Sequence, residues 1–199
     1  GERAFRVDVR RKVLGYGKYP DDLTREDYPD MCYASAVRSK YPRARVVSID
    51  TSKAEALPGV VGVLLASDVP VNQVGHLIQD WDVMIAEGDV TRCVGDAICL
   101  VVAEDEATLA KAKRLVKVEY EVLEPVRNIA EAKAVGAPLV HDSFNAFGNH
   151  VVLHDNVCQS RHITRGDAKA ALAASAHVVT HDFETPFTEH AFLEPECAI

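Results

Sequence analysis

Residues 92–123, RCVGDAICLVVAEDEATLAKAKRLVKVEYEVL, constrain the fold most tightly, because three periodicities succeed one another there. The run Ala97–Ala103 (AICLVVA) is apolar nearly throughout and rich in β-branched residues. At that length it predicts a strand buried on both faces. Asp105 stands where its carboxylate can accept a backbone N–H as an N-cap, and Glu106 suits the positive helix end. The helix that follows puts Leu109, Ala112 and Val116 on one stripe, with Lys111, Lys113 and Arg114 mostly on another. Val116, Val118 and Tyr120 then alternate with Lys117, Glu119 and Glu121, the period of a half-buried strand. Strand, helix and strand in that order predict a βαβ-like unit with paired strands, entered through the tight turn Val94-Gly95-Asp96. The unit builds core and carries no obvious catalytic group.

At 199 residues the chain can bury one full core, or one and a half. Its net charge of −8 argues against nucleic acid, which needs clustered Lys and Arg to neutralise phosphates, and against anionic membrane surfaces. No apolar run reaches the roughly 18–20 residues that span a bilayer. The opening GERAFRVDVRRK lacks the apolar stretch of a secretory signal, and its first Gly in place of Met suggests a processed or cut end. Cys32, Cys93, Cys99, Cys158 and Cys197 are an odd number at wide spacings, which suits reduced thiols in a cytoplasm better than a disulfide framework.

Residues 1–30 read as charged loops, where Gly15-Tyr16-Gly17 lacks the third glycine of a dinucleotide fingerprint. Residues 31–38 and 45–50 read as strands joined by a hairpin-like link through Pro42. Ser52 and Glu55 have capping-box spacing and predict a helix as far as Leu57, stopped by Pro58-Gly59. Val60–Leu65 reads as a buried strand. Residues 70–91 show no lasting periodicity; they suit either an interaction loop or a surface excursion whose Trp81 caps the core. Asn128 can cap a helix over 129–135, and 136–149 look like a linker crossing a surface. Candidate strands follow at 151–153, 158–164 and 177–185, with an alanine-rich helix at 168–176. The chain then ends on an apolar run without a stop signal, as if cut within a strand or motif.

The pairs His150/His154 and His177/His181 have a spacing that gathers metal ligands only on a helix. Both fall in strand-like contexts, where i and i+4 stand about 13 Å apart, so no metal site is expected. Asp80 and Asp82 flank Trp81 and read as solvated loop charges rather than an acid/base pair. The densest polar cluster is PFTEHAFLEPECA at 186–198, with Glu189, His190 and Glu194. It can orient or relay protons for a neighbouring site, or simply satisfy buried backbone at a polar corner. No nucleophile accompanies it.

The chain resembles the molybdenum-cofactor-binding large subunit of the xanthine dehydrogenase/aldehyde oxidase family. The matching pieces are Arg11–Gly15 with Tyr19 and Asp22, Val37–Ser39, Ala44–Thr51, Leu57–Val63, Asp68–Pro70, Val94–Asp96 and Val116–Glu121. In family order they look like its a/b hammerhead domain. Gly166-Asp167, His177–Val179, Glu189-His190 and Leu193–Pro195 are similar to the start of its cofactor-binding domain, with wording closest to the selenium-dependent xanthine dehydrogenase branch.

The resemblance implies an α+β fold with the hammerhead at 1–127, a linker at 128–149 and a truncated molybdopterin-binding domain at 150–199. It implies hydroxylation of a purine, related N-heterocycle or aldehyde with oxygen from water. The cofactor would be molybdopterin-bound molybdenum, with electrons leaving through iron–sulfur clusters and FAD on other domains or subunits. Downstream molybdopterin-binding domains would be the nearest partners. The family's general base and direct molybdenum contacts match no residue here, so the implied roles of Glu189, His190 and Glu194 are supporting ones around the cofactor. A stand-alone binding or scaffold module with the same fold is the other reading, since fold does not fix function.

Overall fold

The structure, a computed structural model, describes residues 4–157, 159–186, 188, 189 and 191. The chain divides into two compact units, one formed by Gly1–Asp30 with Gln159–Ile199 and the other by Met31–Cys158. In the first, residues 1–30, where the sequence predicts only loops, hold a short helix α1 (Val9–Val13) whose last turn carries three basic residues that complement its carbonyl end.

The second unit holds most of the regular structure. Its strands are β1 (Tyr33–Arg38), β2 (Ala44–Asp50), β3 (Val60–Leu64), β4 (Gln73–Val74), β5 (Ile78–Gln79), β6 (Trp81–Asp82), β7 (Ala97–Ala103), β8 (Lys117–Val122), β9 (Ser143–Ala146) and β10 (Asn149–Val152). Helix α2 (Ser52–Glu55) lies between β2 and β3, α3 (Glu106–Leu115) between β7 and β8, and α4 (Ile129–Ala132) after β8.

β7 is the centre of this unit, with β1 and β3 antiparallel to it on either side. Its two faces feed two cores, as its apolar run predicts. Cys99, Val101 and Ala103 pack with Ala54, Leu109 and Ala112 from α2 and α3, while Ile98 packs with Val46 and Ile85. Asp105 caps α3 by accepting the Thr108 N–H at 2.8 Å.

Pairing differs from the sequence reading in two places. β7 and β8 do not pair, because both edges of β7 are already taken; β8 pairs antiparallel with β2. β1 and β2 form no hairpin, since β1 is claimed by β7 and β2 by β8. The β2–β8 register sets Val46 against Tyr120 and Ile49 against Val118, which places the apolar alternation of β8 on the second core.

Local details shift as well. α2 is capped from Thr51 rather than Ser52, with the Thr51 hydroxyl donating to Glu55 at 2.9 Å and Asp50 holding the Ser52 N–H and hydroxyl. The stretch read as a bare linker contains β9, which pairs with β10 and β5. In the first unit, Asp167 caps α5 (Ala168–Ala174) as the sequence predicts. Residues 159–164 and 177–185 form no strand; an extended run stays regular only where a neighbour completes its ladder.

Candidate functional site

Residues 70–96 of the second unit gather the most built-up polar architecture. A two-stranded ribbon, β4–β6, sets Gln73 opposite Asp82 and Val74 opposite Trp81. Its base is fixed by Asn72, whose side chain accepts the Met84 N–H at 3.0 Å and donates to the Met84 carbonyl at 2.7 Å. Gly75 shapes the tip, because a Cβ there would stand 1.7 Å from the Ile78 carbonyl oxygen.

Behind the ribbon lies a clasp centred on Asp96, a buried carboxylate. Asp96 accepts the Arg92 N–H at 2.6 Å, the Cys93 N–H at 3.1 Å and the Cys93 thiol at 2.9 Å. The turn that makes this possible passes through Gly95 at φ +98°, a backbone shape that a side chain would strain. The Arg92 guanidinium pairs with Asp82, whose side chain is only 12% exposed. Asp82 is therefore not the solvated loop charge that the sequence suggests.

A cavity of about 230 Å³ opens between these groups, lined by Trp81, Asp82, Ile85, Arg92, Val140 and His141. The Nδ1 of His141 is shielded from solvent and has no hydrogen-bond partner. Burial, reinforced by the Arg92 charge, pushes the His141 pKa below 6.5. The ring is thus held neutral, with its proton best carried on Nε2, since an unpaired buried N–H costs more than it returns. A wider, polar cleft of about 700 Å³ lies alongside, lined in part by Arg43, Arg45 and Asp89. Burial first, and then the Asp82 charge, raises the Asp89 pKa.

This arrangement holds shape more than it performs chemistry. Burial and Asp96 push the Cys93 thiol up to about 11, so it is no thiolate nucleophile at neutral pH. Cys99, buried in β7, is likewise pushed up to about 11. Arg92 is neutralised by Asp82, and the oxygens of Asp96 are occupied. Sequence reading missed this clasp. Only Val94-Gly95-Asp96, read as a tight turn, hinted at it; His141 lies too far along the chain to be linked by spacing.

Trp81 does not cap the core. It stands 60% exposed in the ribbon, opposite Val74, and borders the cavity. Of the residues singled out from sequence, Glu189 is exposed in the first unit, while His190 and Glu194 lie outside the described residues. Among the described residues no His, Cys, Asp and Glu group is arranged to hold a metal ion. No described helix is long and apolar enough to cross a membrane.

Comparison with known proteins places this architecture. Residues 14–124 match the family described as aldehyde oxidase and xanthine dehydrogenase, a/b hammerhead domain. The chain is 32% identical over 200 residues to the nicotinate dehydrogenase large molybdopterin subunit of Eubacterium barkeri, a match covering 100% of this chain and 43% of that protein. It is 36% identical over 192 residues to a probable xanthine dehydrogenase subunit of Bacillus subtilis (strain 168), covering 96% of this chain and 24% of that one. Quinoline 2-oxidoreductase from Pseudomonas putida 86 superposes with a TM-score of 0.64 at 31% identity, over 88% of this chain and 22% of that structure. The chain therefore spans less than half the length of each of these relatives. It belongs to the aldehyde oxidase and xanthine dehydrogenase family of molybdenum hydroxylases.

Proposed function

We propose that the chain is the N-terminal portion of a xanthine dehydrogenase-like enzyme that hydroxylates purines or related N-heterocycles with oxygen drawn from water. The observation that carries this reading is the hammerhead match at 14–124 joined to similarity along the whole chain with subunits named for nicotinate and xanthine dehydrogenases. Within it, the hammerhead takes residues 1–127, a linker carrying β9 takes 128–149, and the molybdopterin-binding domain begins at 150.

This portion acts as a non-catalytic scaffold. The described donor set does not suit the metal or its clusters: no described His, Cys, Asp and Glu group is arranged to hold a metal ion, and the buried carboxylate of Asp96 is saturated by N–H and S–H donors. No step of the reaction is therefore routed through these residues. Molybdopterin-bound molybdenum belongs to the full-length protein, and the iron–sulfur clusters and FAD to other domains or subunits. Glu189, His190 and Glu194 support the cofactor's surroundings without touching the metal. The enzyme works in the cytoplasm, a setting that suits an odd number of widely spaced cysteines.

Elemental analysis of the full-length protein for molybdenum, beside purine hydroxylation in isotopically labelled water, tests the reading. Bound molybdenum and labelled oxygen in the product are expected; a full-length protein without molybdenum overturns it. Selenium in the same analysis places the enzyme in, or outside, the selenium-dependent branch. His190→Ala is expected to lower molybdenum occupancy or turnover, and unchanged values would leave that cluster a structural corner.

A further inference from the structure

We propose that His141 is a proton-operated latch on the cavity beside Trp81. The neutral ring closes the cavity over Ile85; the imidazolium turns out and lets water reach it. The Nδ1 of His141 is shielded from solvent and has no hydrogen-bond partner. A neutral ring tolerates that place, because Nδ1 is then a bare acceptor and the proton rides on Nε2. An imidazolium carries an N–H on both nitrogens, and the one on Nδ1 would be buried with nothing to accept it. The ring position that suits one protonation state excludes the other.

The surroundings offer no remedy in place. Around the cavity stand Asp80 and Asp82 on either side of Trp81, then Arg92, Cys93 and Asp96 in the turn before β7. Asp142 follows the ring in the chain, and its charge also reaches it. Asp82 is held by Arg92, and Asp96 by two N–H groups and the protonated Cys93 thiol. Arg92 repels a charged ring, while Asp80 and Asp142 draw it. Asp142 also lines the wider cleft alongside, where Asp89 adds another carboxylate. An imidazolium turned that way exchanges a shielded N–H for water and negative charge.

The moving part is a side chain, not a loop. The Val140 N–H donates to Asn156 at 2.8 Å, and the Asn156 amide donates to the Ala132 and Pro138 carbonyls at 3.1 and 3.0 Å. On the other side, the Asp142 carbonyl accepts the Leu153 N–H at 2.8 Å. The backbone is thus pinned before and after His141, and the movement is left to the ring. The open form binds the proton more tightly than the closed one, so acid shifts the balance toward it. Because the closed form holds the ring's pKa below 6.5, opening begins as pH falls beneath that value.

Hydroxyl-radical footprinting of the full-length protein, dose-normalised and read by peptide mass spectrometry, tests the latch. Ile85, only 2% exposed, reports the cavity wall, and Ile98, fully buried in the same core, reports what lies behind it. Between about pH 7.5 and about pH 5.5, Ile85 oxidation should rise by roughly threefold or more while Ile98 stays protected. Hydrogen–deuterium exchange at the ring C2 carbon of His141, followed over the same range, should titrate with that rise. His141→Phe should keep Ile85 closed at both pH values, and His141→Lys, charged throughout, should open it at both. Where a variant fails to fold, the titration of the unsubstituted protein decides alone. Ile85 oxidation that does not change with pH overturns the proposal, as does a rise that survives in His141→Phe. A joint rise at Ile98 overturns it too, since that marks acid loosening of the core rather than a latch.

Discussion

Asp96 accepts hydrogen bonds from two backbone N–H groups and a thiol, and each would lose its partner in a half-buried turn without it. Asp96→Ala should therefore lower the urea midpoint, with a loss on the order of 1.5–3 kcal/mol, because stranded donors lose both partner and solvent. His141 makes a second prediction, about pH. The folded chain holds its ring neutral below 6.5, so it binds fewer protons than the unfolded chain as pH falls. Its contribution is fully present above 6.5, declines as pH drops through that value, and levels off below the folded-state pKa. The charges that influence it are Arg92, which disfavours the proton, and Asp80, Asp82 and Asp142, which favour it. Urea midpoints compared between about pH 7.5 and about pH 5.5 should fall, and His141→Gln should flatten that slope.

Strand β7 concentrates stability because it serves two cores at once. Ile98→Ala, at a fully buried position, should cost about 2–5 kcal/mol by transfer and cavity terms, read as a lower unfolding midpoint. Asp105→Ala should cost about 1 kcal/mol, the usual loss of an N-cap. Gly75→Ala should force the ribbon tip open, detected as faster amide exchange across residues 73–82, because the new methyl meets the Ile78 carbonyl. The same elements show what a sequence displays and what it hides. β7, α3 and β8 are legible because burial writes a period into adjacent residues. Which strand β8 pairs with is not, since that depends on β2 far upstream in the chain and on β7 having no free edge. β4, β5 and β6 are two-residue strands, too short to carry any period, so the ribbon is not legible within the stretch read as an interaction loop or surface excursion. The Asp96 clasp hid for the same reason: its cohesion lies in a turn geometry and in the pairing of Arg92 with Asp82, not in spacing.

At the scale of the molecule, the family is established by order. Many short matching pieces follow one another along the hammerhead, and the whole-chain relatives agree with it. The central strand also has a consequence in time. β1 and β3 lie at residues 33–38 and 60–64, yet the strand that joins them arrives only at 97–103. A ribosome adding roughly 5–20 residues per second leaves β1 without its neighbour for several seconds. During that interval two apolar strands wait with open edges, and they cannot zip to each other in the native arrangement because their shared partner is still inside the exit tunnel. A chaperone that shields nascent β1 and β3 until residue 103 emerges should thus raise the yield of folded protein more than one acting after release.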